Sequence, residues 1–405
     1  MNAADTAFVL VASALVLFMT PGLALFYGGL VRSKNVLSTV MHSFIMIGLV
    51  SVLWAVAGYS LAFGKSLGGL FGGLEYLFLS GVGMGVEGSP APTIPHLAFM
   101  IFQCMFAVIT PALISGAFAE RMKFAGFLVF SALWLLLVYC PMAYWVWGGG
   151  WMQQMGALDF AGGAVVHMSS GSAALVVAIM LGRRKGYGHT PFIPHNLPMT
   201  VLGAGILWFG WFGFNAGSAL AANEVAANAF VTTHMATAAA SLVWIFVEWL
   251  HGGKPTTLGA ASGAVAGLVA ITPAAGFVGI MPSVVIGLGA GIFCYFGVSL
   301  KSRFGYDDSL DVVGIHGVGG IWGALATGLF ASTAINPAGF DGLFNGNPGQ
   351  LWIQFVSVVA TCAFSFIVSY VLLKIISVIV PLRVNDEEEE AGLDVAVHSE
   401  SAYQA

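Results

Sequence analysis

The 405-residue chain is 58% hydrophobic and only 8% charged, with a formal net charge of −5. Soluble globular proteins carry about 25% charged residues, so this is the composition of an integral membrane protein. Basic residues form no stripe that would mark nucleic acid, and much of the negative charge lies in one terminal tail.

Apolar runs of about 20 residues, each long enough to span a bilayer as a helix, recur along the whole chain. The pattern predicts helices near 7–31, 36–63, 95–119, 124–146, 161–182, 199–218, 226–250, 257–273, 279–300, 312–332 and 350–378, which makes eleven. The first run contains Asp5, lacks a basic leading segment and continues to about Val31. That is too long for the apolar region of a signal peptide, so it reads as a spanning helix. The 54 glycines suit this class, because small residues let membrane helices approach closely.

Eleven crossings put the termini on opposite faces. Arg32, Lys34, Arg121, Lys123, Arg183, Arg184, Lys185, Lys254, Lys301, Arg303 and Arg383 then share one face, Lys65 falls on the other, and Lys374 lies inside the last helix. Basic loops stay cytoplasmic, so the N-terminus is expected outside and the C-terminus inside. The odd count divides as five plus five plus one long C-terminal helix. Since five is odd, the second half enters from the opposite face, the signature of an inverted repeat with a substrate path between its halves. The expected fold is thus an all-α integral membrane protein, with a membrane domain over 1–380 and an acidic cytoplasmic tail over 381–405. The tail carries Asp386, Glu387, Glu388, Glu389 and Glu390 in a row. Composition alone allows disorder; attraction to the basic loops of the same face makes a docked or partner-binding tail the competing reading.

Two histidines stand in Gly-rich apolar stretches, His167 in GGAVVHMSSG and His316 in VVGIHGVGG, each in the last helix of its five-helix half. An ionisable side chain inside a membrane is a functional hypothesis by default. Core histidines bonded to backbone are one reading. Neutral imidazoles lining a narrow pore, each with one donor and one acceptor nitrogen, are another. A zinc site needs three or four ligands, and no third stands out, so no metal is expected. Cys104, Cys140, Cys294 and Cys362 are widely spaced and read as buried free thiols.

Asp159 precedes His167 by eight residues, and Asp311 precedes His316 by five. Asp159 opens the fifth helix, where an N-cap carboxylate and a proton-transfer group are both possible. Trp145, Trp147 and Trp151 mark the outer end of helix four as an interfacial belt. Phe102 and Phe106 lie one turn apart on helix three; Trp211, Phe214, Asn215 and Ser218 fall on the outer half of helix six. Such stripes usually serve packing. Ring faces also attract a small cation without formal negative charge, as a vestibule for an ammonium-like ion would need. Glu224 reads as an exposed loop residue, and Glu248 as a snorkelling side chain or the partner of a loop cation. No Walker A, Rossmann or HExxH motif occurs, so neither an ATP-driven pump nor a nucleotide enzyme is expected, and no cofactor.

The segments FYGGLVRSKN, AERMKFAGF, WGGGWMQQMGALDFAGGAVVH, PHNLPM, WFGFNAGSA, GIHGVGG and GLDVAVHSESAY resemble the ammonium transporters of the Amt/Mep/Rh family, in its bacterial Amt branch, over nearly the full length. The resemblance implies a homotrimer in the bacterial inner (plasma) membrane, with one pore through each subunit and no enzymatic activity. It implies that Phe106, Trp147 and Ser218 form an outer ammonium-recruitment site, that Phe106 and Phe214 form a gate, and that His167 and His316 line the pore. Asp159 matches an aspartate that orders the vestibule and aids deprotonation; Phe102, Tyr139 and Trp211 match further vestibule aromatics. Many bacterial relatives begin with a cleaved signal sequence, and none is evident here. The tail matches a platform for a P-II-type regulatory protein that plugs the pore when nitrogen is plentiful. The expected activity is recruitment of ammonium or methylammonium, deprotonation, and conduction of NH3 with or without its proton. An ammonium sensor signalling through the tail, and a passive pore for a neutral gas or solute, are the alternatives.

Overall fold

Inside hydrocarbon, backbone polar groups have no water to bond, so a spanning segment must satisfy them internally. The computed structural model, which describes residues 1–403, meets this requirement with helices almost throughout. In chain order they are α1 (Ala3–Leu30), α2 (Ser33–Phe63), α3 (His96–Ala117), α4 (Phe124–Met155), α5 (Gly163–Leu181), α6 (Leu197–Gly217), α7 (Glu224–Gly252), α8 (Thr257–Ile271), α9 (Ile280–Phe304), α10 (Val313–Phe330) and α11 (Pro348–Ile379). Two short helices in the tail follow, α12 (Asp386–Ala391) and α13 (Leu393–His398). A small antiparallel hairpin, Ser66–Leu67 with Phe71–Gly72, lies between α2 and α3.

Ten of the helices are long and apolar enough to cross a membrane, so this is a multi-pass membrane protein. The remaining segment of the expected set, α8, has 15 residues. At 1.5 Å per residue it measures about 22 Å, against a hydrocarbon core of about 30 Å. It stops where the chain turns at 272–277, a segment that begins with Thr272 and Pro273.

The helix ends carry the residues that end chemistry calls for. Asn2, Asn196, Asn223 and Thr256 each accept backbone N–H groups at the start of α1, α6, α7 and α8. Glu224 is exposed but lies in the first turn of α7, not in a loop. Glu248 pairs with no cation among the described residues: its carboxylate accepts from the backbone N–H of Thr256 (2.9 Å) and from the Thr256 hydroxyl (3.0 Å), bracing the cap of α8.

α1 packs along α6, where Gly203 brings its backbone against Phe26. α5 meets the first turn of α10, and α11 lies across α4, α5 and α10.

One end of the bundle is tied by charge. Glu120 is 2% exposed, yet it accepts from the backbone N–H of Arg32 (2.8 Å), from Asn35 Nδ2 (3.0 Å) and from Arg184 (3.0 Å). These bonds hold it at φ 73°, a left-handed conformation uncommon for a residue with a Cβ. Arg184 also forks onto both oxygens of Asp307 at 2.9 Å, the bidentate geometry that gives Arg–carboxylate pairs their specificity. Arg121 is fully buried. It donates to the carbonyls of Ala117 (3.0 Å), Gly182 (2.9 Å) and Asp307 and to the Ser309 hydroxyl (2.6 Å), closing the ends of α3, α5 and α9 together.

The acidic tail docks on this face. Arg383 donates to Leu181 O (2.6 Å) and Glu389 (2.8 Å); Lys185 N–H donates to Glu389 (2.7 Å); Asp394 accepts from Ser38 N–H (2.8 Å). Leu393 N–H donates to Asn35 Oδ1 (2.8 Å), and the Tyr403 hydroxyl meets His195 Nε2 (2.9 Å). Of the two readings of the tail, docking is the one the described residues adopt.

Burial alone would raise the Glu120 carboxyl, but Arg184 and Arg32 outweigh it and hold the group below its ordinary range. Asp307 is lowered in the same way, Arg184 again prevailing over burial. A carboxylate with a depressed folded value stabilises above its unfolded value and loses that contribution as pH falls through the folded one. The melting temperature of the purified protein should therefore drop steeply below about pH 4. Glu120→Gln removes one of the two carboxylates on Arg184 while Asp307 keeps its bidentate hold, and should cost about 1–3 kcal/mol, read as a lower melting temperature at neutral pH and a shallower acid limb.

Candidate functional site

On the face opposite the tail, α3, α4 and α6 open a cavity of about 250 Å³ whose wall includes Phe106, Trp147 and Ser218 together with Gln103, Gln153 and Phe160. Phe106 and Trp147 meet edge to face, with centroids 6.0 Å apart and an interplanar angle of 83°. Trp147 Nε1 donates to Asp159 O (2.9 Å), and the Ser218 hydroxyl donates to Phe214 O (2.8 Å). With its proton so committed, the Ser218 oxygen keeps its lone pairs for a donor in the cavity. Of the other tryptophans expected in an interfacial belt, Trp145 is buried and donates to Leu70 O in the hairpin turn (2.7 Å), while Trp151 packs on it at 5.5 Å.

The cavity ends on a pair of rings. Phe106 and Phe214 lie 4.2 Å apart at 37°, with Phe102 packed behind Phe106 at 4.9 Å. Beyond them runs a narrow passage lined by His167 and His316, by Trp211 and by apolar side chains that include Leu23, Phe26, Tyr27, Leu113, Leu310 and Ile315. The room in it for the centre of a water-sized guest is about 10 Å³, on the order of what a single water needs.

His167 and His316 are 1% and 4% exposed, stacked at 5.3 Å and 23°, with their Nδ1 atoms 3.2 Å apart. One Nδ1 must carry the shared proton and the other accept it, so the outer nitrogens of the two neutral rings differ: one is an acceptor, the other a donor. His167 Nε2 has no protein partner. Trp211 stacks on His167 at 5.4 Å and 19°, its Nε1 donating to the Thr272 hydroxyl (2.9 Å).

Each histidine sits on a π-helical turn, Gly163–Met168 at the start of α5 and Val313–Gly317 at the start of α10. Widened turns of this kind often mark functional sites. Asp159 sets the first: Oδ1 accepts from Gly162 N–H (2.8 Å) and Gly163 N–H (2.6 Å), and Oδ2 from Ala164 N–H (2.7 Å) and Val165 N–H (3.3 Å). Both oxygens are thus engaged in capping. The preceding residue is gripped as well, since Gln354 of α11 accepts from Leu158 N–H (2.7 Å) and donates to Leu158 O (2.8 Å). The rings meet because Gly171 and Gly317 place the two backbones in contact; a Cβ on Gly171 would run into Gly317 N and Cα.

Phe106, Trp147, Ser218, Phe214, His167 and His316 fall along one line from the cavity inward, with Asp159 beside it. Two expected vestibule aromatics lie elsewhere. Trp211 is beyond the Phe pair, because its indole is needed against His167. Tyr139 is fully buried against Trp54, at a centroid distance of 6.3 Å, because α4 packs that face on α2. Gln103, Gln153, Phe160 and Thr272 were not singled out from sequence; an uncharged polar or aromatic residue in an apolar run carries no signal until the helices are assembled. Among the described residues no three His, Cys, Asp or Glu side chains converge as a metal site would require.

The profile of the Ammonium Transporter Family matches residues 7–403. The chain is 58% identical over 405 residues to the ammonium transporter of Bacillus subtilis (strain 168), covering all of this chain and 99% of that one. It is 48% identical over 403 residues to ammonium transporter Amt1 of Archaeoglobus fulgidus, covering both in full. The crystal structure of Saccharomyces cerevisiae Mep2 superposes with a TM-score of 0.90 at 38% identity, over 96% of this chain and 88% of that one. A structure named Sensor Amt Protein does so with a TM-score of 0.89 at 29% identity, over 97% and 98%.

Gly171→Ala should separate α5 from α10 at the histidine pair. Overpacking of this kind costs about 1–3 kcal/mol. The expected result is a lower melting temperature together with a longer α5–α10 distance between spin labels placed at the two helix ends; an unchanged distance would contradict the contact.

Proposed function

Since the chain belongs to the ammonium transporter family and so moves ammonium across a membrane rather than catalysing a reaction, we propose that it does so by stripping the ion of its proton at the ring-lined cavity and passing NH3 between the histidines. NH4+ enters the cavity of Phe106, Trp147 and Ser218. Ring faces and one hydroxyl replace part of its water, the ring contribution being about 0.5–2 kcal/mol. That is enough to recruit a cation and too little to carry one through apolar surroundings, where an unpaired charge costs several kcal/mol. The ion therefore gives its proton to water of the outer cavity, NH4+ and H2O becoming NH3 and H3O+, beside the turn that Asp159 orders. NH3 slips past Phe106 and Phe214 and meets the acceptor and donor nitrogens of the His167–His316 pair. It regains a proton at the far end. K+ has no proton to give up and is refused.

The observation that carries this reading is the order of groups along one line: an uncharged ring cavity, a phenylalanine pair, then two touching imidazoles in a passage with room for about one water. We propose further that α1–α11 cross the membrane in a five-plus-five inverted repeat with α11 added, N-terminus outside and C-terminus cytoplasmic, in the bacterial plasma membrane. The pairing of α1 with α6 and α5 with α10 supports the repeat, and the basic loops gathered at the tail face support the orientation. The protein acts as a homotrimer, and its tail, residues 381–405, forms part of a regulatory platform for a P-II-type protein.

The likeness to a sensor Amt protein favours a second reading, a sensor that reports ammonium through the tail. Removing residues 381–405 leaves flux in a transporter and abolishes the output of a sensor. A pore for a neutral solute would give no potential-dependent current on ammonium addition. Replacing both His167 and His316 by apolar residues should lower ammonium flux in vesicles or admit K+; unchanged flux with no K+ entry removes the histidines from the mechanism. Trp147→Leu should weaken apparent ammonium affinity by roughly tenfold, the effect of about 1.4 kcal/mol.

A further inference from the structure

The two histidine turns share a device that the position of Asp311 conceals. Asp159 stands eight residues before His167, and Asp308 stands eight before His316. Asp308 Oδ2 accepts from Val313 N–H (2.7 Å), at the first residue of the π-helical turn that carries His316, just as Asp159 caps the turn that carries His167. The two carboxylates differ in how far they are committed. Asp159 spends both oxygens on four N–H groups; Asp308 Oδ1 is buried with no partner, on a residue that is 1% exposed.

The charged and titratable groups around Asp308 come from every neighbouring element. Lys301 of α9 donates to Asp308 O (2.9 Å) and pairs with Asp311. Tyr27 of α1 borders the passage and donates to Leu113 O (3.0 Å). Arg121, after α3, holds the backbone of Asp307, and Tyr306 lies on the approach from α9. Burial, opposed by Lys301 and reinforced by Asp311, pushes the Asp308 carboxyl up to about 6.

We propose that Asp308 is a positioning residue for conduction: its ionised carboxylate holds the turn that aims His316 at His167, and acidifying the tail face releases that hold. The inference rests on the histidine reading above. An ionised acceptor bonds an N–H roughly twice as strongly as a neutral one. Protonating Asp308 therefore weakens the side-chain bond to Val313 N–H at the first turn of α10, while the four bonds to Asp159 leave α5 in place. Conduction then depends on pH from the tail face, through a group that touches neither ammonium nor the rings.

The test uses the full chain in proteoliposomes, with ammonium-evoked current recorded as pH on the tail face is lowered from about 7 to about 5 and the other face is held constant. The ionised fraction of a group near 6 changes about tenfold per unit below its midpoint, so wild-type current should fall several-fold across this range. Asp308→Asn keeps an acceptor that does not titrate; its current should be lower at neutral pH and flat in pH. Asp308→Glu should restore a titration with a displaced midpoint. If Asp308→Asn fails to fold, Lys301→Gln carries the test, because loss of the ammonium group beside Asp308 should move the wild-type midpoint upward. A wild-type-like pH step in Asp308→Asn, an unmoved midpoint in Lys301→Gln, or a wild-type current indifferent to tail-face pH overturns the inference. Absence of ammonium-evoked current in wild type at every pH overturns the transport reading instead.

Discussion

Backbone contact between α5 and α10 at Gly171 and Gly317 is the constraint on which the rest of the passage depends. Membrane helices gain little by burying apolar surface against one another, since lipid is equally apolar; close packing of small residues brings them together. Here that packing has a chemical result. With no side chain between the helices, the rings of His167 and His316 reach hydrogen-bonding distance, and a pair of imidazoles replaces what would otherwise be an unbroken apolar wall. Trp211, stacked on His167, and Phe214 beyond it then take their places by ring packing against that pair.

Around this contact the polar groups are assigned to the scaffold. Ser218 donates to Phe214 O, Trp211 to Thr272, Trp147 to Asp159 O, and Asp159 accepts from four backbone N–H groups. Each bond removes a group that would be costly unpaired in hydrocarbon. Among the described residues, no Asp, Glu, Lys or Arg side chain borders the passage itself. Carboxylates appear instead at helix starts, where they meet positive ends of helix dipoles, and in the paired cluster of Glu120, Arg184 and Asp307 at the tail face. Formal charges are thus kept out of the passage on which the proposed route depends.

Much of this was legible in the sequence, for identifiable reasons. Apolar helices of about spanning length leave an unmistakable signature, so ten of the eleven expected segments are found as helices of 18 residues or more near their expected bounds. The segment at 257–271 is shorter because hydropathy does not register a turn at Thr272 and Pro273. His167 and His316 stood out because charge-capable residues are rare in such runs. The π-helical turns beneath them did not, since a local widening leaves apolar periodicity almost unchanged. Asp308 was passed over for Asp311, which is nearer to His316 in sequence; only the hydrogen bond to Val313 shows which carboxylate caps the turn. The family resemblance implies Tyr139 and Trp211 for the vestibule, and depth along a helix, which a matching residue does not report, is what separates them from it.

The docking of the tail has a consequence for how the molecule is made. Asn35 is fully buried in the first turn of α2; its amide donates to Glu120, and its side-chain carbonyl oxygen accepts from Leu393, a residue 358 positions later. A ribosome delivers the first of these groups early and the last near the end of synthesis. Until α13 arrives, the first turn of α2 lacks the donor that satisfies Asn35 Oδ1, and Ser38 lacks the carboxylate of Asp394. The first turn of α2 is therefore left unfinished through nearly all of translation, and a product truncated before α13 keeps that defect.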